Sequence, residues 1–295
     1  MEKVRLNASA KINLYLRVLG RRPDGYHDIE SLLTRISLAD TVSIETRSSG
    51  IEVKCPDHPG LDGPANLAYQ AAKRYLAANP HGTGPWAGVS IRIQKEIPVA
   101  AGLGGGSTDA ATVLEGLQRL STHPLKKDKL LQIAAGLGAD VPFFLNRGPC
   151  IARGVGHDLE PVADLPEFWL LLACSPKGLA TRKVYENLNY PLTSTRGGAR
   201  NINSVRSAGM EGIVSWLHND LQAVSERLYP AIRSVRMGLL RAGAEGALMS
   251  GSGPSVFGLF RSRRRALDGL GRIASEGNWK YLVVQGETTK TSATQ

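Results

Sequence analysis

The chain is 295 residues long, and 42% of its residues are hydrophobic while 21% are charged. A chain of this length and apolar content can bury a core, which excludes an intrinsically disordered protein and predicts one large domain or two of ordinary size. Its 36 Lys and Arg exceed its 26 Asp and Glu, for a net charge of +10. This excess predicts an anionic partner, whether nucleic acid, a membrane surface or a phosphorylated small molecule. The longest purely apolar run, residues 168–174, is too short to span a bilayer.

The cysteine pattern favours a cytoplasmic protein. Cys55, Cys150 and Cys174 are far apart and form no CxxC pair, and the six histidines show no metal-binding spacing. We therefore expect reduced thiols, and neither a disulfide framework nor a structural metal site. Lys11 and Arg17 interrupt the N-terminal apolar residues, so no secretory signal is expected.

In chain order, the first predicted element is a strand. Residues 4–18 alternate strictly between apolar and other side chains, which is typical of a half-buried strand or of two strands joined at a bend. The alternation places Ser9, Lys11 and Asn13 together on the polar side. The patterns that follow predict a turn-rich loop at 20–28, strands at 32–45, 89–93 and 150–153, and helices at 66–78 and 126–137.

The strongest local signal is a glycine run between a strand and a helix. Residues 98–109 read PVAAGLGGGSTD, with four glycines in five positions, and a helical pattern begins at Ala110. Glycines let the backbone approach a ligand closely, and a helix N-terminus presents unpaired N–H groups. We therefore predict a phosphate-binding loop rather than a plain glycine-rich turn, with Ser107 or Thr108 as the helix cap. The run is neither a GxxxxGK[ST] loop nor a GxGxxG loop.

The second half of the chain predicts a second α+β domain. Residues 159–166 are predicted to be a linker before a strand at 168–173. A helix at 181–188, a loop at 191–203, two or three helices within 204–242 and strands at 246–250, 255–261 and 279–284 follow. We therefore expect an α+β fold of two domains, residues 1–160 and 161–287, with a cleft between them and a disordered tail at 288–295.

Several polar segments have two interpretations when the residues are considered alone. Lys11 is more typical of a solvated charge on a strand, and Asp140 of a turn or helix cap. Asp109 is favoured as a first-turn acid that stabilises the helix dipole, over a group that holds Mg²⁺ through water. The glycines of residues 250–254 fit a hairpin turn or a second segment that contacts a phosphate. The arginines of residues 261–265 favour a solvated helix surface over a nucleic-acid site.

Three segments in this order resemble the motifs of the GHMP kinases, the superfamily of galactose, homoserine, mevalonate and phosphomevalonate kinases. They are AKINLYL at 10–16, IPVAAGLGGGSTDAA at 97–111 and SGSGPSVFG at 250–258. Four further segments resemble the members that act in the non-mevalonate route to isoprenoid precursors: 20–33, 38–42, 138–145 and 219–224. The resemblance spans residues 3–285 and implies the two-domain GHMP kinase fold, with the active site in the cleft between the domains.

The resemblance also implies a reaction and a catalytic pair. The implied activity is ATP-dependent, Mg²⁺-assisted phosphorylation of the 2-hydroxyl of 4-diphosphocytidyl-2-C-methyl-D-erythritol. Asp140 is implied as the base that accepts the hydroxyl proton, and Lys11 as the group that keeps Asp140 ionised and orients the alcohol. This assignment replaces the solvated and turn interpretations of the two residues.

Ligand contacts are implied by the same motifs. Asn13, Tyr26 and His27 are expected against the cytidine part of the substrate, and Tyr185 is expected to stack on cytosine opposite Tyr26. The ATP phosphates are expected at Pro98, Val99, Ala100, Ala101, Gly102, Leu103, Gly104, Gly105, Gly106, Ser107 and Thr108. The resemblance assigns no metal ligands and no oligomeric state.

Three other functions compete with this expectation. A homoserine- or mevalonate-type kinase is disfavoured by the GYH segment and Tyr185, and a non-catalytic ligand sensor by the presence of both Lys11 and Asp140. A nucleic-acid binder is motivated by the charge alone, and we expect small-molecule partners with no nucleic acid and no membrane. Two departures from the family pattern are Ala180, where relatives often have Ser, and His157, where they often have an acid.

Overall fold

The computed structural model describes residues 1–162, 165–188, 208–273 and 278–287, which fall into two compact units. The first unit comprises residues 1–10, 38–99 and 104–147. The second comprises residues 11–37, 100–103 and, among the described residues, 148–287. These units interleave along the chain, and the predicted domain boundary near residue 160 stays a prediction. The predicted loop at 191–203 and the tail from 288 lie outside the described residues.

Two long strands contribute residues to both units. β1 spans Lys3–Arg21 and β2 spans His27–Arg47, so the alternating N-terminal pattern forms one strand. Residues 10–16 of β1 are buried on both sides of the strand, including Lys11 at 5% exposure and Asn13 at 3%. The expectation of a solvated Lys11 is therefore wrong, because both sides of β1 are covered along this stretch.

The first unit combines a small sheet with four helices. β4, Gly88–Gln94, pairs antiparallel with the end of β2 and parallel with β3, Gly50–Lys54. The helices are α1 Leu67–Ala78, α2 Gly105–Leu120, α3 Lys127–Leu137 and α4 Val141–Leu145. Asn66 caps α1 because its side-chain oxygen accepts a hydrogen bond from the Ala68 N–H. The helices predicted at 66–78 and 126–137 are confirmed.

The second unit begins with a strand pair that corrects one sequence expectation. β5, Cys150–Gly154, pairs antiparallel with the start of β2 and with β6, Asp158–Pro161. The predicted linker at 159–166 is therefore wrong in its first part. Proline at the end of β6 is compatible with a strand because it terminates an edge strand that has only one partner.

An antiparallel sheet forms the core of the second unit. Its strands lie in the order β11 Lys280–Gln285, β7 Trp169–Cys174, β10 Val256–Phe260 and β9 Gly246–Met249. Its helices are α5 Thr181–Glu186, α6 Gly209–Trp216, α7 Gln222–Leu228, α8 Ala231–Arg241 and α9 Arg263–Arg272. A short strand β8, His218–Asn219, pairs parallel with β1. The mixture of helices and mainly antiparallel strands confirms the α+β class.

Apolar side chains of sheet and helices meet in that core, including Leu171, Val235, Leu239 and Phe260. Burial of such side chains removes apolar surface from water and stabilises the unit by roughly 25 cal/mol per Å². Among the described helices, none is both long enough and apolar enough to cross a membrane.

Candidate active site

Lys11 and Asn13 form a buried polar pair on β1. The Lys11 ammonium donates to Asn13 Oδ1 over 2.7 Å, and Asn13 Nδ2 donates to Ser31 Oγ over 2.8 Å. Ser31 Oγ in turn donates to the backbone oxygen of Tyr15 over 2.6 Å. The Lys11 backbone N–H donates to the Leu103 carbonyl, which joins β1 to the glycine run. A buried amine held in this way has a fixed position, as a group that orients an alcohol requires.

The glycine run ends at a helix cap that is not the predicted one. α2 begins at Gly105, and its cap is Gly104 in the left-handed region at φ 74°. Ser107 and Thr108 lie inside the first turn, so the prediction that one of them caps the helix is wrong. The Thr108 N–H already donates to the Gly104 carbonyl. Because glycine has no side chain, Gly104 accepts no side-chain hydrogen bond from the N–H groups of the first turn. Such N–H groups at a helix N-terminus favour binding of an anion.

A second glycine turn, residues 250–253 between β9 and β10, contacts the first glycine run. Ser250 Oγ donates to the Gly102 carbonyl over 3.1 Å, and the Ser255 N–H donates to the Ala101 carbonyl. A Cβ added at Gly102 would lie 2.5 Å from the Ser250 carbonyl oxygen. The two backbones therefore approach so closely that only glycine fits at position 102.

The same turn lies beside the catalytic candidates on β1. A Cβ added at Gly251, whose φ is 57°, would lie 3.2 Å from Asn13 Oδ1 and 3.4 Å from Lys11 Nζ. The turn therefore connects β9 and β10, as a hairpin does, and it also covers Lys11. Within the second unit, β1, residues 101–103 and residues 250–253 converge around the Lys11–Asn13 pair.

Asp140 occupies the short connection between α3 and α4. Gly138 follows the last residue of α3, and Asp140 stands at the N-cap position of α4. Its carboxylate makes no capping hydrogen bond, so it does not act as a cap through its side chain, and the residue is half-buried. Asp140 belongs to the first unit and Lys11 to the second, and the catalytic pairing of the two stays a prediction.

A buried ion cluster lies near the start of α2. The Lys95 ammonium, just after β4, donates to the carboxylates of Asp40 on β2 and of Asp109 on α2, the latter over 2.7 Å. Asp40 also accepts the backbone N–H groups of Glu96 and Ile97. No sequence pattern indicated this cluster, because its members are separated by up to 69 positions and meet only through the fold.

Asp109 lies deeper than the sequence suggested. It is 2% exposed and lies beyond the first turn of α2, so the interpretation as a first-turn acid is wrong. Burial raises the pKa of Asp109 to about 7, opposed by the charge of Lys95. Burial also lowers the pKa of Lys95, but Asp109 and Asp40 outweigh it and raise this pKa above its ordinary value. The negative charge of Asp40 adds to the effect of burial and raises the pKa of Asp109 further.

Besides Asn13 on β1, the candidate substrate residues lie on β2, on α5 and in the turn before β2. The rings of His27 and Tyr185 stack with centroids 4.9 Å apart and planes 30° apart. Tyr26 is 67% exposed, and its backbone N–H donates to the Asp24 carboxylate. Burial, and secondarily the charge of Arg21, lowers the pKa of His27, so its imidazole is neutral at pH 7. The predicted sandwich of cytosine between Tyr26 and Tyr185 stays a prediction.

α5 also contacts the second glycine turn. The hydroxyls of Thr181 and Ser252 are hydrogen-bonded over 2.8 Å. Ala180, one of the departures from the family pattern, is the N-cap of α5 and supplies no side-chain bond there. His157, the other departure, is exposed in the turn between β5 and β6.

Two further sequence predictions concern charge and metal ions. Arg263, Arg264 and Arg265 are exposed in the first turn of α9, and Arg261 pairs with Glu211 and Glu245; the choice of a solvated helix surface over a nucleic-acid site stays a prediction. Within the described ranges, no group of three or more His, Cys, Asp or Glu side chains could hold a metal ion.

Comparison with known families gives two matches. The chain matches the GHMP kinases N terminal domain over residues 66–148 and the GHMP kinases C terminal domain over residues 205–278. The first match contains the glycine run and Asp140, and the second contains the second glycine turn.

Similar proteins match almost end to end. The 4-diphosphocytidyl-2-C-methyl-D-erythritol kinase of Syntrophus aciditrophicus is 38% identical over 96% of this chain and 99% of its own length. The protein of that name from Pelobacter propionicus is 41% identical over 97% of this chain and 99% of its own length.

Solved structures give the same picture. A crystal structure of 4-(cytidine 5'-diphospho)-2C-methyl-D-erythritol kinase is 36% identical with a TM-score of 0.79, covering 96% of this chain and 99% of that one. Homoserine kinase from Cytophaga hutchinsonii has a TM-score of 0.72 at 18% identity, covering 98% of this chain and 95% of that one, and shares the fold.

Proposed function

The chain belongs to the 4-diphosphocytidyl-2-C-methyl-D-erythritol kinase family of the GHMP kinases, and we propose that it transfers the γ-phosphoryl group of ATP to the 2-hydroxyl of 4-diphosphocytidyl-2-C-methyl-D-erythritol. The observation that carries this proposal is the match, at 38–42% identity over 90% or more of the chain, to relatives that bear this enzyme's name. The place of the reaction is the non-mevalonate route to isoprenoid precursors.

The bond changes define what the protein must do. The substrate oxygen forms a bond to the γ-phosphorus, the bond from that phosphorus to the β,γ-bridging oxygen breaks, and ADP leaves. The hydroxyl proton passes to Asp140. Such a transfer depends mainly on alignment and on neutralising charge. Lys11 supports both roles, since its ammonium is buried and held by Asn13 over 2.7 Å.

We assign the ATP phosphates to residues 98–108. The support is the glycine cap at Gly104, the first-turn N–H groups of α2 and the close packing of Gly102. Mg²⁺ would be supplied with ATP and would neutralise charge on its phosphates, because this ion takes most of its ligands from phosphates and water and needs few protein carboxylates. Lys95 engages Oδ2 of the Asp109 carboxylate, and its Oδ1 is buried without a hydrogen-bond partner; we assign Asp109 to the ion cluster and name no Mg²⁺ ligand.

We assign the cytidine part of the substrate to the His27–Tyr185 region. A neutral imidazole has one donor and one acceptor nitrogen, which suits the amide-like edge of cytosine. Flat rings of Tyr185 and Tyr26 offer stacking surfaces, and the exposed Tyr26 ring can bury apolar area when a base binds. We also assign Asn13, which is buried on β1, to this set.

The remaining proposals concern location and partners. We place the enzyme in the cytoplasm, and we assign its excess positive charge to two anionic small molecules, ATP and the cytidine diphosphate derivative, rather than to nucleic acid.

A coupled ADP-release assay tests the function. The purified chain is supplied with ATP, Mg²⁺ and, in parallel, 4-diphosphocytidyl-2-C-methyl-D-erythritol, homoserine or mevalonate. Of the three candidate substrates, we expect ADP release only with 4-diphosphocytidyl-2-C-methyl-D-erythritol. Turnover with homoserine or mevalonate instead would assign the chain to another specificity. Binding of the cytidine substrate without ADP release would indicate a ligand sensor.

A further inference from the structure

Asn219 is a buried amide whose side-chain oxygen and nitrogen are both engaged. It is 7% exposed and lies at the end of β8. Its Nδ2 donates to the carbonyls of Met249 and Gly251, both over 2.8 Å, and its Oδ1 accepts the Leu221 N–H over 2.9 Å. The two donors of one amide therefore hold the backbone at the end of β9 and within the second glycine turn.

The same residue is paired with β1. Asn219 lies opposite Leu16 in the parallel pairing of β8 with β1, and the next residue, Asp220, donates its N–H to the Leu16 carbonyl over 3.0 Å. Asn219 therefore connects the second glycine turn to the strand that carries Lys11 and Asn13.

α7 adds two weaker bonds to the same turn. Ser225 Oγ donates to the Ser252 carbonyl over 3.1 Å, and Gln222 Oε1 accepts the Met249 N–H over 3.1 Å. The segment from Asn219 to Ser225 thus fixes residues 249–252 by four side-chain hydrogen bonds.

The opposite side of the turn touches the catalytic candidates. Gly251 lies against Lys11 Nζ and Asn13 Oδ1, and Ser250 Oγ accepts the Asn13 N–H and donates to the Gly102 carbonyl. We propose that Asn219 is a positioning residue, which sets the place of Lys11 by holding the second glycine turn against it. This inference rests on the proposed function, which assigns Lys11 to phosphoryl transfer.

The variant Asn219→Asp isolates this role, because it keeps the shape of the side chain. The two N–H donors are replaced by a carboxylate oxygen facing two carbonyl oxygens, which repels the turn. Misplacement of a catalytic group by about 1 Å lowers turnover by about a hundredfold. We therefore expect kcat to fall by about tenfold to a hundredfold. The Kd for CDP should rise by a smaller factor than kcat falls, because CDP lacks the reacting methylerythritol unit and we assign its binding to the His27–Tyr185 region as well as to Asn13, which contacts the turn.

Two companion variants sharpen the test. Ser225→Ala removes a single bond to the turn and leaves Asn219 intact, so a loss of about two- to fivefold in kcat is expected. Gln118→Glu is the matched control in the first unit. Its amide makes the same kinds of bond, donating to the Leu125 carbonyl and accepting the Leu125 N–H. It is expected to keep the wild-type kcat.

The measurements are kcat and KM for both substrates, with CDP titration by calorimetry giving the concentration of folded sites. The Asn219→Asp loss must remain when kcat is expressed per CDP-binding site, since simple destabilisation would lower both together. Wild-type kcat per site, or an equal loss in Gln118→Glu, would overturn the inference. If Asn219→Asp does not fold, the kcat of Ser225→Ala tests the inference instead. A wild-type kcat for Ser225→Ala would then overturn the inference. A wild-type protein without turnover overturns the proposed function and this inference together, whereas an active wild type and an equally active Asn219→Asp overturn the inference alone.

Discussion

At the scale of single residues, burial separates the candidate catalytic charge from charges that face water. Lys11 is covered on β1 and has a defined partner in Asn13, while Arg263 to Arg265 are exposed. A buried ammonium loses its hydration, and it is retained only where hydrogen bonds and opposite charge compensate. The resemblance identified Lys11 where the residue pattern alone favoured a surface charge.

We expect Asp140→Asn to abolish turnover while leaving both substrates bound. Asparagine matches aspartate in shape but cannot accept the hydroxyl proton, so kcat should fall by about 10²–10⁴-fold, the usual contribution of a general base. The measurement is steady-state ADP release together with Kd values for CDP and for a non-hydrolysable ATP analogue. A kcat within tenfold of the wild type would limit Asp140 to orienting the alcohol.

The ion cluster of Lys95 gives a pH-dependent prediction. Burial raises the pKa of Asp109 from 3.8 to about 7. Between these two pH values Asp109 is therefore protonated in the folded protein and ionised in the unfolded chain. The associated stabilisation is complete below about pH 4 and is lost as the pH rises to about 7. Asp109→Asn removes this dependence, because its amide oxygen still accepts from Lys95 but does not titrate.

Urea unfolding at pH 5, 6, 7 and 8 tests it. The unfolding free energy of Asp109→Asn minus that of the wild type should rise between pH 5 and pH 7 and then level off. A difference that does not vary with pH would contradict the raised pKa of Asp109.

At the scale of elements, two glycine segments contribute to the candidate site by letting backbones approach each other. Gly102 has φ 77°, and a Cβ there would lie 2.5 Å from the Ser250 carbonyl. We expect Gly102→Ala to unfold at a lower temperature and to raise the KM for ATP at least tenfold, because the first glycine run must move away from the second glycine turn.

Gly154 supplies the matched control for that change. Its φ is 63°, but nothing lies within 4 Å of an added Cβ. Gly154→Ala therefore introduces only the backbone strain, about 1 kcal/mol, and should leave the KM for ATP unchanged. Equal effects of the two substitutions would show that strain alone, and not the contact between the glycine segments, accounts for Gly102.

The elements also show where sequence reasoning succeeds. The helix of residues 67–78 follows from its apolar spacing and from the Asn66 cap, both of which are local properties. The cap of α2 was missed because a left-handed glycine took the place expected for Ser107 or Thr108. The strand at 158–161 was missed because four residues that end in proline carry no strand signal until β5 pairs with them. The Lys95 cluster depends on contacts between three elements, which no local pattern contains.

At the scale of the whole molecule, the chain carries a net charge of +10. We proposed that this charge attracts two anionic substrates. Steering of this kind acts through the field of the molecule as a whole and weakens when salt shortens the Debye length from about 10 Å at 0.1 M to about 3 Å at 1 M.

Two charge-reversed variants separate this field from a local effect. Replacing Arg263, Arg264 and Arg265 by Glu lowers the net charge from +10 to +4. Replacing Lys126, Lys127 and Lys129 by Glu gives the same net charge from exposed positions at the start of α3. Both sets lie at a helix N-terminus, where acidic residues are favourable, so neither variant should lose stability.

If the whole field steers the substrates, both variants lower kcat/KM for ATP at low salt while kcat at saturation is retained, because only encounter is affected. The difference from the wild type should vanish at 1 M salt, where charges more than a few ångströms apart are screened. A loss confined to the arginine variant would instead identify the start of α9 as a local binding surface. If the wild type also shifts RNA or DNA in a gel and the arginine variant alone does not, nucleic acid is a partner of this surface. Three arginines that bind phosphates would then account for both the affinity and its dependence on salt.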